Sequence, residues 1–465
     1  MTTTHTKRAL RRLLHVDPPP ATRSALEITV EVEHNYRWNF VFNLLDGAAF
    51  WLGLSFMSTA TILPLYVSKL TPSPLAIGLI AVIANSGWFL PQLFTANTVQ
   101  RLPRRKPVVV NLGFFTERLP LWLLPLSALL AVRAPAVALF LFFLGFASHA
   151  LGAGVVATAW QDLIARIIPV DRRGRFFGIT TFVGNGTGAL GAIFSAWLLA
   201  TLVFPTNFVA TFALAALFIT LSWAALAQAR EPEQRVTAPR QNSRQYWAGL
   251  PRILAEDHNF RRYINARLLM VLGGMGAGFL TVAVVSRWQV SDGAVGLYTL
   301  ALLIGQTLGN AGAGFLADQR GHKLPLELGS LLMVIAYLLA WLAPGPAWYY
   351  AVFLALGIAI GAVVVSGMMI VLEFSPDELR PTYAGLSNTA MGLLGMVSPL
   401  IGAWLASRSY DWLFALSALF WLAGLVSLRF WVCEPRWSDA ERLDQTPAAA
   451  KETAEVADAR AEQRS

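Results

Sequence analysis

Gly314-Phe315-Leu316-Ala317-Asp318-Gln319-Arg320-Gly321-His322-Lys323 stands between two long apolar runs. A run of about 20 apolar residues is long enough to cross a bilayer as a helix, so this segment reads as a polar hinge between two membrane helices. Gly314 and Gly321 let backbones turn and approach closely. Asp318 is suited to cap a helix N-terminus, and Arg320, His322 and Lys323 belong at headgroup level. Charges this dense between two spans cost free energy unless each finds a partner. The hinge alone fits two readings: a gate whose partners change between two states, or an ordinary basic turn.

Composition extends the membrane reading to the whole chain. Hydrophobic residues make up 55% and charged residues 14% of the 465, against about 25% charged in soluble domains. Sixteen Trp and 28 Phe suit aromatic belts at two interfaces. The net charge of +9 does not indicate nucleic-acid binding, because the basic residues lie mostly between apolar runs and in the tails. One cysteine, Cys433, excludes an internal disulfide.

Twelve apolar spans follow outward from the hinge, at 39–66, 75–100, 107–131, 135–165, 174–203, 206–229, 263–287, 293–317, 324–343, 347–374, 381–406 and 410–433. The widest gap lies in the middle. The expected organisation is a tail at 1–38, six spans at 39–229, a basic linker with an amphipathic segment at 230–262, six spans at 263–433, and a tail at 434–465. Lys and Arg crowd loops 2–3, 4–5, 8–9 and 10–11, so both termini and the linker are expected in the cytoplasm. The halves repeat. Pro169 to Gly178, before span 5, and Pro376 to Gly385, before span 11, share Pro, Arg, aromatic and Gly at equal offsets. The fold class is all-α, polytopic, with twelve transmembrane helices in two six-helix bundles.

With this layout and the signature-like hinge between spans 8 and 9, residues 39–433 resemble the major facilitator superfamily. The resemblance implies two bundles rocking about a central substrate site, with loops that latch the halves together. Loop 2–3 should hold a second copy of the signature, but its Asp and Gly are missing; Gln100 and Arg101 stand near the place of the Asp. The loop 8–9 copy is therefore expected to carry more of the latch. Span 5, with Gly178, Gly184, Gly186, Gly188 and Gly191, is similar to the family's antiporter signature, except that Ala189 replaces its Pro. Plain helix packing is the better explanation of those glycines.

Ionisable residues within or near the spans form two groups. Asp162, Arg173, Arg267, Asp318, Arg320, Lys323, Glu373 and Arg380, with Gly314 and Gly321, are the gating candidates. By family analogy Asp318 faces the start of span 5, Arg320 or Lys323 pairs with Glu373, and Asp162 pairs with Arg101, Arg104 or Arg105. Asp46, Glu117, Arg118 and His149 lie deeper and are candidates for proton coupling or substrate binding. Glu117 is the favoured proton carrier. Arg118 suits a structural pair with Asp46 or Glu117, or an anionic substrate. Glu117 and Arg118 are expected on different sides of span 3. Asn43, Asn85, Gln92, Asn265, Gln306, Asn310 and Asn388 are candidate lining residues.

No phosphate loop, metal motif or nucleophile elbow occurs, so neither an enzyme nor a cofactor or metal is expected. The lack of acidic ion wells favours protons over sodium. The expected function is secondary active, proton-coupled transport of a small molecule through the cell membrane by a monomer. Export of an apolar or amphipathic compound, uptake of a sugar or organic anion, and a non-transporting receptor or scaffold all fit the pattern.

Overall fold

The computed structural model describes residues 23–99, 102–169, 172–233, 253–375 and 380–436. Residues 1–22, 170–171 and 437–465, Gln100, Arg101, much of the expected linker and the segment 376–379 lie outside the described residues. Each expected span is helical. Span 1 is Ala25–Ser55 continued by Ile62–Leu70, and span 2 is Pro74–Val99. Span 3 covers 108–130, span 4 Pro135–Ile167, span 5 Arg173–Thr201 and span 6 Thr206–Leu226. Spans 7 to 12 are His258–Trp288, Asp292–Arg320, Lys323–Leu342, Trp348–Phe374, Arg380–Ala406 and Tyr410–Trp431. Ten of these helices are individually long and apolar enough to cross a membrane. Spans 1 and 3 are the two outside that set, and span 7 changes to a 3₁₀ turn at Gly274–Phe279.

Span 1 starts well before the expected residue 39, because Ser24 and Glu27 form a capping box. The Ser24 hydroxyl accepts from the Glu27 N–H at 3.2 Å, and the Glu27 carboxylate accepts from the Ser24 N–H at 3.0 Å. Span 3 winds as two π-helical turns, Val108–Leu112 and Phe114–Arg118, then a 3₁₀ turn, Leu119–Trp122. Its two adjacent charges, expected on different sides, meet, so of the two structural pairs open to Arg118 the contact made is the one with Glu117. The Arg118 guanidinium curls back against the Glu117 carboxylate within the wide π turn.

The hinge is shorter than expected. Helix continues through Asp318 to Arg320, so Asp318 sits in a last turn and caps no N-terminus. The chain reverses at Gly321, whose φ of +79° favours glycine. Gly314 makes no close approach: a Cβ there would meet open space.

The pairing of helices repeats between the halves. Spans 1–5, 1–6, 2–4, 3–4 and 3–6 pack together, and so do spans 7–11, 7–12, 8–10, 9–10 and 9–12. Each pair maps onto its counterpart by adding six, as a duplicated bundle requires. The bundles meet along spans 2 and 11 and along spans 5 and 8. Phe140, Phe182, Phe315, Trp404 and Phe430 are exposed on the outer surface, as apolar residues facing lipid would be.

Candidate functional site

Between the halves lies a cavity of about 420 Å³. Span 2 contributes Ala84, Asn85 and Phe89, span 7 contributes Arg267, Met270, Met275 and Phe279 among others, and spans 10 and 11 contribute Val363, Val364, Ser398 and Pro399. The walls are mostly apolar. Arg267 is the charged residue among them, and its guanidinium lies 3.9 Å from the Met270 sulfur and beside the Tyr263 hydroxyl.

One end of the cavity is sealed. The Thr61 and Thr299 hydroxyls share a hydrogen bond of 2.6 Å across the halves, and Thr281 donates to the Ala60 carbonyl at 2.8 Å. Lys69 reaches Asp292 at 2.8 Å, and the Asn207 amide donates to the same carboxylate at 3.1 Å. Asp292 opens span 8, where the helix dipole favours an anion. Gly293 and Gly296 bring span 8 against Ala200 and Ala196 of span 5, closer than a Cβ would allow. This seal lies at the end opposite the Lys- and Arg-rich loops.

At the basic end, the ion pairs between described residues each lie within one half. Arg105 donates to Asp162 at 2.5 Å, as one of the expected pairings had it. Glu231, buried just after span 6, accepts from the Arg105 N–H at 2.7 Å and the Lys106 N–H at 2.8 Å. In the other half Glu434, just after span 12, accepts from the Lys323 N–H at 2.9 Å. Glu373 pairs with Arg436 at 2.6 Å and lies 3.9 Å from His322, so neither Arg320 nor Lys323 is its partner. Lys323 turns to Glu327 at 3.4 Å. Burial pushes the Glu231 carboxyl above its usual range, against the opposing pull of the two N–H donors. The folded state therefore holds that proton more tightly than the unfolded chain. Its contribution to stability is greatest in mild acid and declines as pH rises through the raised value. Glu231→Ala leaves two main-chain donors unpaired, an expected loss of about 1–3 kcal/mol. The readout is a lower midpoint of thermal unfolding in detergent, and an unchanged midpoint would contradict it.

The four deep candidates come together inside the first bundle, away from the cavity. Asp46 of span 1 accepts from the Ser222 hydroxyl of span 6 at 2.5 Å. Arg118 lies close enough to act on Asp46 and on His149 electrostatically while touching Glu117. The His149 ring meets the Glu117 carbonyl at 3.2 Å. All four are buried.

The family model described as Major Facilitator Superfamily matches residues 45–288 and 266–460. The chain belongs to the major facilitator superfamily. It is 23% identical over 189 residues to the galactose-proton symporter of Escherichia coli K12, covering 38% of this chain and 39% of that one. It is 28% identical over 157 residues to the 4-hydroxybenzoate transporter PcaK of Pseudomonas aeruginosa, covering 31% of this chain and 35% of that one. The matched stretches thus span less than half the length of these curated relatives. Among solved structures, the D-xylose-proton symporter superposes with a TM-score of 0.64 over 86% of this chain and 99% of that one, at 15% identity.

Within this superfamily fold, the remaining candidates divide. Asn85 lines the cavity and donates to the Gly395 carbonyl across the halves at 3.3 Å. Asn43 and Gln92 bond carbonyls in their own helices, Asn39 at 2.7 Å and Trp88 at 2.7 Å. Asn265 and Asn388 are exposed, and Gln306 and Asn310 lie on the span 8 face that packs on Gly361 of span 10; none of these six lines the cavity. Asp318 and Arg320 are exposed on span 8, and no ion pair joins either to another described residue. Arg173 caps span 4 from its own half, donating to the Ile168 carbonyl at 3.2 Å. The Arg380 side chain lies outside the described residues. Arg267, expected in the latch, lines the cavity instead. Of the span 5 glycines, Gly184 and Gly191 pack on Trp51 and Ser55 of span 1, whereas Cβ atoms at Gly178 and Gly186 would meet open space. Sequence reading missed Glu231, Glu434 and Asp292. The signal for the two glutamates was a Glu-Pro pair closing each half, Glu231-Pro232 and Glu434-Pro435.

Proposed function

We propose that this protein is a secondary active transporter that takes up a small solute with protons by alternating access. In this reading the basic loops face the cytoplasm, so the seal, at the opposite end, lies at the outer side of the cell membrane. The observation that carries the reading is an apolar cavity between duplicated bundles, closed at one end by hydrogen bonds and an ion pair that cross the halves. Such bonds can break and re-form as the bundles rock, whereas the bundles themselves stay packed. The resemblance to a galactose-proton symporter supports uptake with protons over export.

Asp46 is the proton site in this reading. Its partner Ser222 is a hydroxyl, which can donate to a carboxylate or accept from a carboxylic acid. Glu117, by contrast, is held against Arg118 as a pair.

The test uses protein reconstituted in vesicles with a panel of sugars and organic acids. An acidic exterior should drive accumulation of at least one solute. Binding without movement under any imposed pH gradient would favour the receptor reading instead.

A further inference from the structure

We propose that the solute is a small organic monoanion, a carboxylate on an apolar body about the size of one ring, held in the cavity by Arg267. This rests on the transporter reading above and names its substrate class.

The cavity holds an arginine and offers it no carboxylate. Ion pairs among the described residues of the second half take Arg287, Lys323, Arg429 and Arg436, and not Arg267. Its neighbours are neutral: Met270, the Tyr263 hydroxyl and the backbone of Gly367. A guanidinium in apolar surroundings costs free energy unless an anion joins it, and its planar fork matches a carboxylate with two parallel hydrogen bonds.

The rest of the wall specifies what the carboxylate is attached to. Beside Arg267 the lining offers the neutral polar side chains of Thr59, Asn85 and Ser398. Asn85 and Ser398 already donate to carbonyls of Gly395 and Val271. A sugar would bring a hydroxyl on nearly every carbon into a wall of Ile77, Met275, Phe279, Val363 and Met391, and most would go unpaired, each at a cost. A ring or short hydrocarbon meets that wall without loss. The volume of about 420 Å³ lies toward the small end of ligand cavities, about 300–1,000 Å³.

The experiment measures binding to the purified full-length chain by thermal shift and calorimetry. The probes are benzoate, 4-hydroxybenzoate, phenylacetate, 4-hydroxybenzamide and D-galactose. At least one carboxylate should bind, and 4-hydroxybenzamide, the same ring without the charge, should bind at least about tenfold more weakly than 4-hydroxybenzoate. Arg267→Gln should lose the carboxylate and Arg267→Lys should keep part of it, as a charge without the fork would. Comparing acid with amide on the wild type needs no variant, so a variant that misfolds does not spoil the test. Equal binding of acid and amide, full affinity in Arg267→Gln, or binding of galactose and none of the acids overturns the proposal. Vesicle flux separates the two readings. Movement of galactose without the acids sinks this inference and leaves the transporter standing, whereas an acid that binds and never moves does the reverse.

Discussion

Asp46→Asn is expected to abolish proton-driven accumulation in vesicles while leaving exchange of solute across the membrane intact. A pH difference of one unit is worth about 1.4 kcal/mol per proton, which at one proton per solute sustains about a tenfold concentration ratio. The asparagine keeps the shape and can still accept from Ser222, which now sits 2.5 Å from the carboxylate, but it cannot carry a proton. Steady-state accumulation should fall to equal concentrations, with counterflow preserved. Glu117→Gln should weaken transport less, because Glu117 is occupied by Arg118. Undiminished accumulation by Asp46→Asn would move the proton elsewhere.

Gly296→Leu should stop net transport by preventing the outer seal from forming. A Cβ at Gly296 would meet the Ala196 backbone of span 5, so a leucine there cannot fit without parting spans 5 and 8. Interiors packed this closely do not absorb a new side chain cheaply. Because the clash exists in the sealed state, the protein should be held open to the outside. Thr61→Cys, placed in a Cys433→Ser background, reports on it: the introduced thiol should become reactive to a membrane-impermeant maleimide when Gly296→Leu is added. A wild-type uptake rate, or a thiol that stays protected, would show that the seal tolerates the bulk.

How much of this was legible in the sequence depends on the kind of interaction. The twelve spans and their duplication were readable because apolar runs and repeated Pro, Arg, aromatic and Gly offsets are local patterns. The Arg105–Asp162 pair was readable because both lie at the same end of neighbouring spans. The partner of Glu373 was not. Arg436 lies beyond span 12, and sequence gives no measure of how a post-span segment folds back under the bundle. Arg267 was assigned to the latch from its depth in span 7. Its true surroundings depend on the 3₁₀ turn Gly274–Phe279, which breaks that span, and on spans 10 and 11 beside it. Glu117 was among the partners open to Arg118, and the structure pairs them, but the π-helical turn that lets two adjacent residues meet is announced by no residue pattern. The hinge at Gly314–Lys323 marked the fold correctly, yet its structural part is narrower: Gly321 turns the chain, and the Lys323 N–H donates to Glu434.

In the proposed cycle the halves rock, exchanging a seal at one end for a seal at the other. The direct measurement is a distance distribution between spin labels at Arg175 and Gln319, both exposed at the basic ends of spans 5 and 8, in the Cys433→Ser background in lipid nanodiscs. The account predicts two populations, a long one with the basic end open and a short one with it closed, whose ratio shifts between neutral and acidic pH. A single distance, unchanged by pH, would contradict it.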